Sequence, residues 1–143
     1  MNKKLLGIML TIILAIAVLG TAAFFVIKGS ASEKDQTKEP SIDEVVESSV
    51  EVAEITTNLK SDNVVRLSIK LETDSKEAKE ELEKRDFQIK DSVISLLANT
   101  NADDLEGQKG KEKFKEQLKE KLNTNYMKEG KVKTVYITSF NLQ

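Results

Sequence analysis

From Leu5 to Ile27 the chain carries no charged residue, and a run of that length constrains the protein more than any other feature. As a helix it would be roughly 35 Å long, enough to cross a hydrocarbon core of about 30 Å with some tilt. A lone segment in lipid satisfies its own backbone only as a helix. The apolar side chains of such an anchor are Leu5, Leu6, Ile8, Leu10, Ile12, Ile13, Leu14, Ile16, Val18, Leu19, Phe24, Phe25, Val26 and Ile27. Lys3 and Lys4 precede the run, whereas Lys28 is soon followed by Glu33, Asp35 and Glu39. The positive-inside rule therefore puts the N-terminus in the cytoplasm and the remainder outside. A cleaved secretory signal shares the basic start, and Thr21-Ala22-Ala23 resembles a cleavage site. Its apolar core usually spans only about 7 to 15 residues, however, and here Phe24, Phe25, Val26 and Ile27 extend the run. With no cysteine, no lipidation site alters that reading. Gly7, Thr11 and Ala15, and again Ala17 and Thr21, have the spacing that lets a second membrane helix approach closely.

The chain thus divides into a short cytoplasmic start (1–4), a transmembrane helix (5–27), a linker (28–48) and an extracytoplasmic domain (49–143). Residues 29–40 are almost without apolar side chains and end in the one proline. As a coil they would span on the order of 20 Å, and stretched close to 40 Å. Ile42, Val45 and Val46 have helical spacing, so residues 41–49 are variable or weakly helical. Beyond them the period becomes two. Residues 63–73 place Val65, Leu67, Ile69 and Leu71 on one side and Arg66, Ser68, Lys70 and Glu72 on the other, a half-buried strand. A looser strand over 49–60 precedes it, and Ser61-Asp62-Asn63 supplies the turn of an antiparallel hairpin.

Asp74 with Glu77 reads as a capping box opening a helix to about residue 99, with a buried stripe of Ala78, Leu82, Phe87 or Ile89, Val93 and Leu97. A second helix runs from Gly110 to about Met127 along Phe114, Leu118 and Leu122, after a possible turn at 105–108, and Gly130 stops it. Residues 131–142 return to strand chemistry. Strict alternation puts Val132, Tyr136, Phe140 and Leu142 on one face and Val135 and Ile137 on the other, so this strand is central or covered by a partner. The expected class is α+β: one N-terminal transmembrane helix followed by a small ββααβ extracytoplasmic domain.

The composition excludes most chemistry. With no histidine and no cysteine, the usual general base, the commonest metal ligand and the thiolate nucleophile are all missing. Serine with a lysine base, or paired carboxylates, has no defined setting here. Gly107-Gln108-Lys109-Gly110-Lys111 lacks the spacing and the hydroxyl residue of a phosphate loop and reads as a helix entry. No catalytic residue, cofactor, metal or small-molecule substrate is expected. All 24 acidic residues lie beyond Lys28, together with all but Lys3, Lys4 and Lys28 of the 22 basic ones. The exported part is therefore acidic, and nucleic acid is an unsuitable partner.

Two charged rows stand out on the second helix. Lys111, Lys115 and Lys119 recur every four residues beside Glu112, Glu116 and Glu120. Such rows pair with one another on a solvated face. Alternatively, one copy's basic row meets a neighbour's acidic row, which makes these six residues candidates for self-association.

The chain resembles the FliL family of flagellar basal body-associated membrane proteins. The resemblance is carried by Ile55-Thr56-Thr57-Asn58-Leu59, Val64-Val65-Arg66-Leu67-Ser68-Ile69-Lys70-Leu71, Lys84-Arg85-Asp86, Leu105-Glu106-Gly107 and Gly110-Lys111-Glu112-Lys113. Most specific is Gly130-Lys131-Val132 with Val135-Tyr136-Ile137-Thr138-Ser139-Phe140-Asn141-Leu142-Gln143. It implies a cell-membrane motility protein that associates with the flagellar stator units and supports torque, switching, chemotaxis or swarming. It also implies a stomatin-type (SPFH-like) exported domain that assembles as a homo-oligomeric ring. Crosslinking from Tyr136 and Phe140, or from the second helix, to membrane neighbours is the experiment that would identify its contacts. The alternative is a cell-envelope scaffold or sensor unrelated to motility that oligomerises at the membrane surface.

Overall fold

Alternation of large aliphatic side chains makes strand β2 (Val64–Thr73) the axis of the domain, because Val65, Leu67, Ile69 and Leu71 are all fully buried on one face. The computed structural model describes residues 39–143. The anchor residues Leu5 to Ile27, their basic flank and the linker as far as residue 38 lie outside the described residues. Among the described residues no helix is long and apolar enough to cross a membrane. Pro40–Gln143 forms one compact unit.

The unit opens with helix α1 (Ile42–Glu47), the weakly helical stretch expected there. Its capping box is at Ser41 and Glu44: the Ser41 hydroxyl accepts from the Glu44 N–H and the Glu44 carboxylate accepts from the Ser41 N–H at 2.8 Å. Strand β1 (Ser49–Asn58) pairs antiparallel with β2. Asp62 turns the hairpin with φ +64, and the Leu59 N–H donates to the Asn63 carbonyl at 2.8 Å. At the other end of the pair, the Thr73 N–H and hydroxyl both donate to the Ser48 carbonyl, at 3.0 and 2.7 Å.

The single helix expected from Asp74 is two, α2 (Lys76–Glu83) and α3 (Asp86–Ala98). Arg85 lies between them at φ −104, ψ 17, its guanidinium donating back to Glu81 at 2.7 Å and forward to Gln88 at 3.0 Å. The predicted cap at Asp74 is also corrected. Ser75 caps α2, its hydroxyl accepting from the Ala78 N–H at 3.1 Å, while the Asp74 carboxylate accepts from the Lys131 N–H at 2.9 Å. Ala78, Leu82, Ile89, Val93 and Leu97 are buried as the spacing required. The choice between Phe87 and Ile89 falls to Ile89, and Phe87 is exposed. One turn, α4 (Ala102–Leu105), is followed by the long helix α5 (Gly107–Asn125), which buries Phe114, Leu118 and Leu122. A side chain at Gly110 would run into the backbone of Asp104 and Leu105, so glycine there permits the close packing of α4 on α5.

Strand β3 (Val132–Leu142) closes a sheet of order β1-β2-β3, all antiparallel. Of the two expectations for β3, a central place in the sheet fails, because β2 is central and β3 is an edge, and cover by a partner is the one left open. The predicted division of its faces fails for a related reason. Register shifts against β2 leave Lys133 and Thr138 as extra residues, and each extra residue reverses the alternation. Val132, Val135, Ile137, Phe140 and Leu142 consequently all lie opposite buried residues of β2, and Tyr136 falls on the other face, opposite Lys70. One continuous core between sheet and helices results.

Candidate interaction surface

Helix α5 is built to lie along β3, and that packing orients its charged rows. With Phe114, Leu118 and Leu122 turned into the core, Lys111, Lys115 and Lys119 become half-buried, while Glu112, Glu116 and Glu120 are exposed. The helix runs antiparallel to the strand. Near one end the Lys111 Nζ sits 4.8 Å from the centre of the Phe140 ring, a cation–π contact. Near the other, the Asn123 carboxamide accepts from the Val132 N–H at 2.8 Å and donates to the Val132 carbonyl at 3.0 Å. Asn123 thereby closes the start of the β3 edge with both bonds that another strand would make.

At the Lys111 end lies a groove of about 510 Å³ lined by Gln108, Lys111, Glu112, Lys115, Tyr136 and Ile137. Ile137 gives it an apolar floor, and Lys111, Lys115 and Glu112 stand on its rim. Lys119 pairs with Glu116 at 2.7 Å, and Gln108 donates to Glu112 at 3.0 Å. Among the described residues neither Lys111 nor Lys115 has an ion-pair partner. The structure thus brings Lys111 and Lys115 to β3 and leaves the acidic row facing away from it.

On the opposite face of the sheet Tyr136 is held by Glu72, which is only 5% exposed. The Tyr136 hydroxyl donates to it at 2.7 Å and the Lys133 ammonium lies 3.2 Å away. Burial pushes the Glu72 carboxyl up, but the hydrogen bonds from Tyr136 and Lys133 outweigh it and hold the group below its ordinary value. The same bond to Glu72, with burial, raises Tyr136. Tyr136 is therefore fixed on that face beside the mouth of the groove, 42% exposed, in place of a free rotor.

A second carboxylate braces the connection between α5 and β3. Glu81 accepts from the N–H groups of Lys128 at 2.8 Å and Glu129 at 2.9 Å, and its other oxygen accepts from Arg85 at 2.7 Å. Those backbone bonds, with Arg85, hold its carboxyl down at about 2. Exposed apolar side chains also occur away from the groove: Ile42 and Val46 on α1, and Phe87 and Ile94 on α3.

Among the described residues no group of three or more acidic side chains is arranged to hold a metal ion. What the arrangement offers is a contact surface, with backbone donors and acceptors at an open strand edge beside two unpaired ammonium groups. The sequence pointed to Tyr136, Phe140 and the lysine row. It did not point to Gln108, Ile137 or Asn123 as their companions, because β3's extra residues hide which side chains share a face with α5.

Comparison with known proteins adds identity to this geometry. The family model described as flagellar basal body-associated protein FliL matches residues 49–143. Flagellar protein FliL of Bacillus subtilis (strain 168) is 66% identical over 143 residues, covering all of both chains. Flagellar protein FliL of Aquifex aeolicus (strain VF5) is 30% identical over 78 residues, 54% of this chain and 48% of that protein.

Proposed function

The chain belongs to the FliL family of flagellar basal body-associated proteins, and from that premise we propose that it is a single-span cell-membrane protein that supports the stator units of the flagellar motor. Its N-terminus lies in the cytoplasm, residues 5–27 cross the membrane, and the domain that follows acts outside. Similarity over the full length of a flagellar protein, at 66% identity, is the observation that carries this reading. The uncharged run after Lys3 and Lys4 supports the topology.

The domain acts by contact. Neither histidine nor cysteine is present, and the groove beside β3 is a surface for recognition. Several copies assemble around a stator and bind its active state preferentially, which shifts the stator toward that state. The exposed acidic row Glu112, Glu116 and Glu120 and the basic row Lys111, Lys115 and Lys119 are candidate contacts between copies, in the ring expected of a stomatin-type domain. Torque, switching, chemotaxis and swarming depend on the result.

Deletion of the gene, scored for swimming, swarming and stator recruitment, tests the role. Intact motility in liquid and on soft agar would instead favour an envelope scaffold unrelated to the flagellum. Protease added to protoplasts tests the topology, since it should degrade the domain and would spare it if the orientation were reversed. Reversing Lys115 and Lys119 should weaken assembly at low salt, and unchanged sedimentation would remove the contact between charged rows.

A further inference from the structure

The basic groove lies beside a strand edge whose start is closed by Asn123 and whose remainder has no neighbouring strand among the described residues. From this juxtaposition we infer that the β3 edge binds an extended acidic peptide segment of a partner protein, added as a fourth strand, with carboxylates at alternate positions on Lys111 and Lys115.

Three observations select that occupant. Lys111 and Lys115 are one helical turn apart, about 6 Å along the axis. Alternate side chains of a strand are separated by about 6.6 Å, so an extended chain lying along α5 brings a carboxylate to each lysine in register. The two ammonium groups line the groove without a carboxylate partner among the described residues. Glu112, the acid on the rim, is turned to Gln108 at 3.0 Å. The intervening side chains of the added strand fall on the other face, against the fixed Tyr136 ring, which suits apolar residues there.

A second copy pairing β3 with β3 is disfavoured by the same lysines. Antiparallel edge pairing about a two-fold axis keeps both α5 helices on one face of the joined sheet, and it sets the basic rows of the two copies against each other. Lysine beside an edge opposes self-pairing in this way while attracting an acidic strand. Such a partner gives a chemistry to the contact function proposed above and rests on that reading for its biological setting.

The probe is a fluorescein-labelled octapeptide of alternating glutamate and valine, titrated by anisotropy against the full chain in nanodiscs. It should bind, weaken steeply from 50 to 300 mM salt, and lose at least ten-fold in affinity to K111E/K115E. A peptide of four glutamates followed by four valines should bind at least ten-fold more weakly, because it cannot place carboxylates at alternate strand positions. Hydrogen exchange on the unmodified chain should show the peptide protecting β3 amides between residues 134 and 141, which needs no variant to fold. Equal binding of the blocked peptide, binding of an alternating lysine–valine peptide, or protection confined to α5 would overturn the inference. So would a dimer joined through the β3 edge, seen as protection of the β3 amides without peptide that added peptide does not displace, which would make a second copy the occupant. Motility plays no part in these readouts, so failure here is distinguishable from failure of the stator role.

Discussion

Replacing Glu81 removes one carboxylate and should disconnect α2 from the α5–β3 connection, 47 residues away in sequence. The carboxyl is held at about 2 against an ordinary 4.5, first by the Glu129 and Lys128 N–H groups and then by Arg85. At about 1.36 kcal/mol per pH unit, the shift corresponds to about 3 kcal/mol favouring the ionised folded state. The side chain is 11% exposed, so screening by solvent removes only part of this. Glu81→Ala should therefore cost about 2 to 3 kcal/mol at pH 7. Glu81→Gln, which keeps an oxygen for the backbone donors, should cost roughly half that, since neutral hydrogen bonds are about half as strong. Urea titration followed by circular dichroism reads the difference as a midpoint shift of about 1 to 2 M for the alanine variant. The pH dependence has a fixed sign. A carboxyl whose pKa is lower in the folded state stabilises fully above 4.5 and loses that contribution as pH falls toward about 2. The gap between parent and Glu81→Gln should narrow across that window. A gap independent of pH, or an alanine cost below about 0.5 kcal/mol, would refute the assignment of Glu81 as the brace of the α5–β3 connection.

Asn123→Ala should cost about 1 to 2 kcal/mol, because both groups of Val132 lose their partner, and should speed exchange of the Val132 amide. Gly110→Ala forces a methyl group into the backbone of Asp104 and Leu105, and thermal melting should show a loss of about 2 kcal/mol. Tyr136→Phe removes the hydroxyl that donates to Glu72, so an NMR carboxyl titration should find Glu72 raised from its value in the parent.

Where the chain obeyed one periodicity, its structure was legible. The alternation of Val65, Leu67, Ile69 and Leu71 and the four-residue spacing of Phe114, Leu118 and Leu122 each name a buried face correctly. The same was not true of β3. Its pattern is readable only if Lys133 and Thr138 are counted as extra residues, and that count is set by pairing with β2, a non-local fact. Helix breaking after Glu83 was equally hidden. No proline or glycine marks it, and the turn at Arg85 is fixed by bonds to Glu81 and Gln88 that any arginine in a helix could have made. The lysine row was visible as a pattern. Its role depended on which flank of α5 faces the edge strand, and only the folded core decides that.

The doubly bonded Ser48 carbonyl has a mechanical meaning. Tension entering the domain at Pro40 reaches the sheet through α1 and arrives at Ser48, next to the end of β1 farthest from the hairpin turn. Load at that point peels a hairpin rung by rung, a geometry that fails at lower force than sliding whole strands past each other. Thr73 is the first rung and holds with two bonds where an ordinary residue would hold with one, so the rate of mechanical detachment, set by the barrier to unfolding, should be governed by this threonine before any hydrophobic layer is tested.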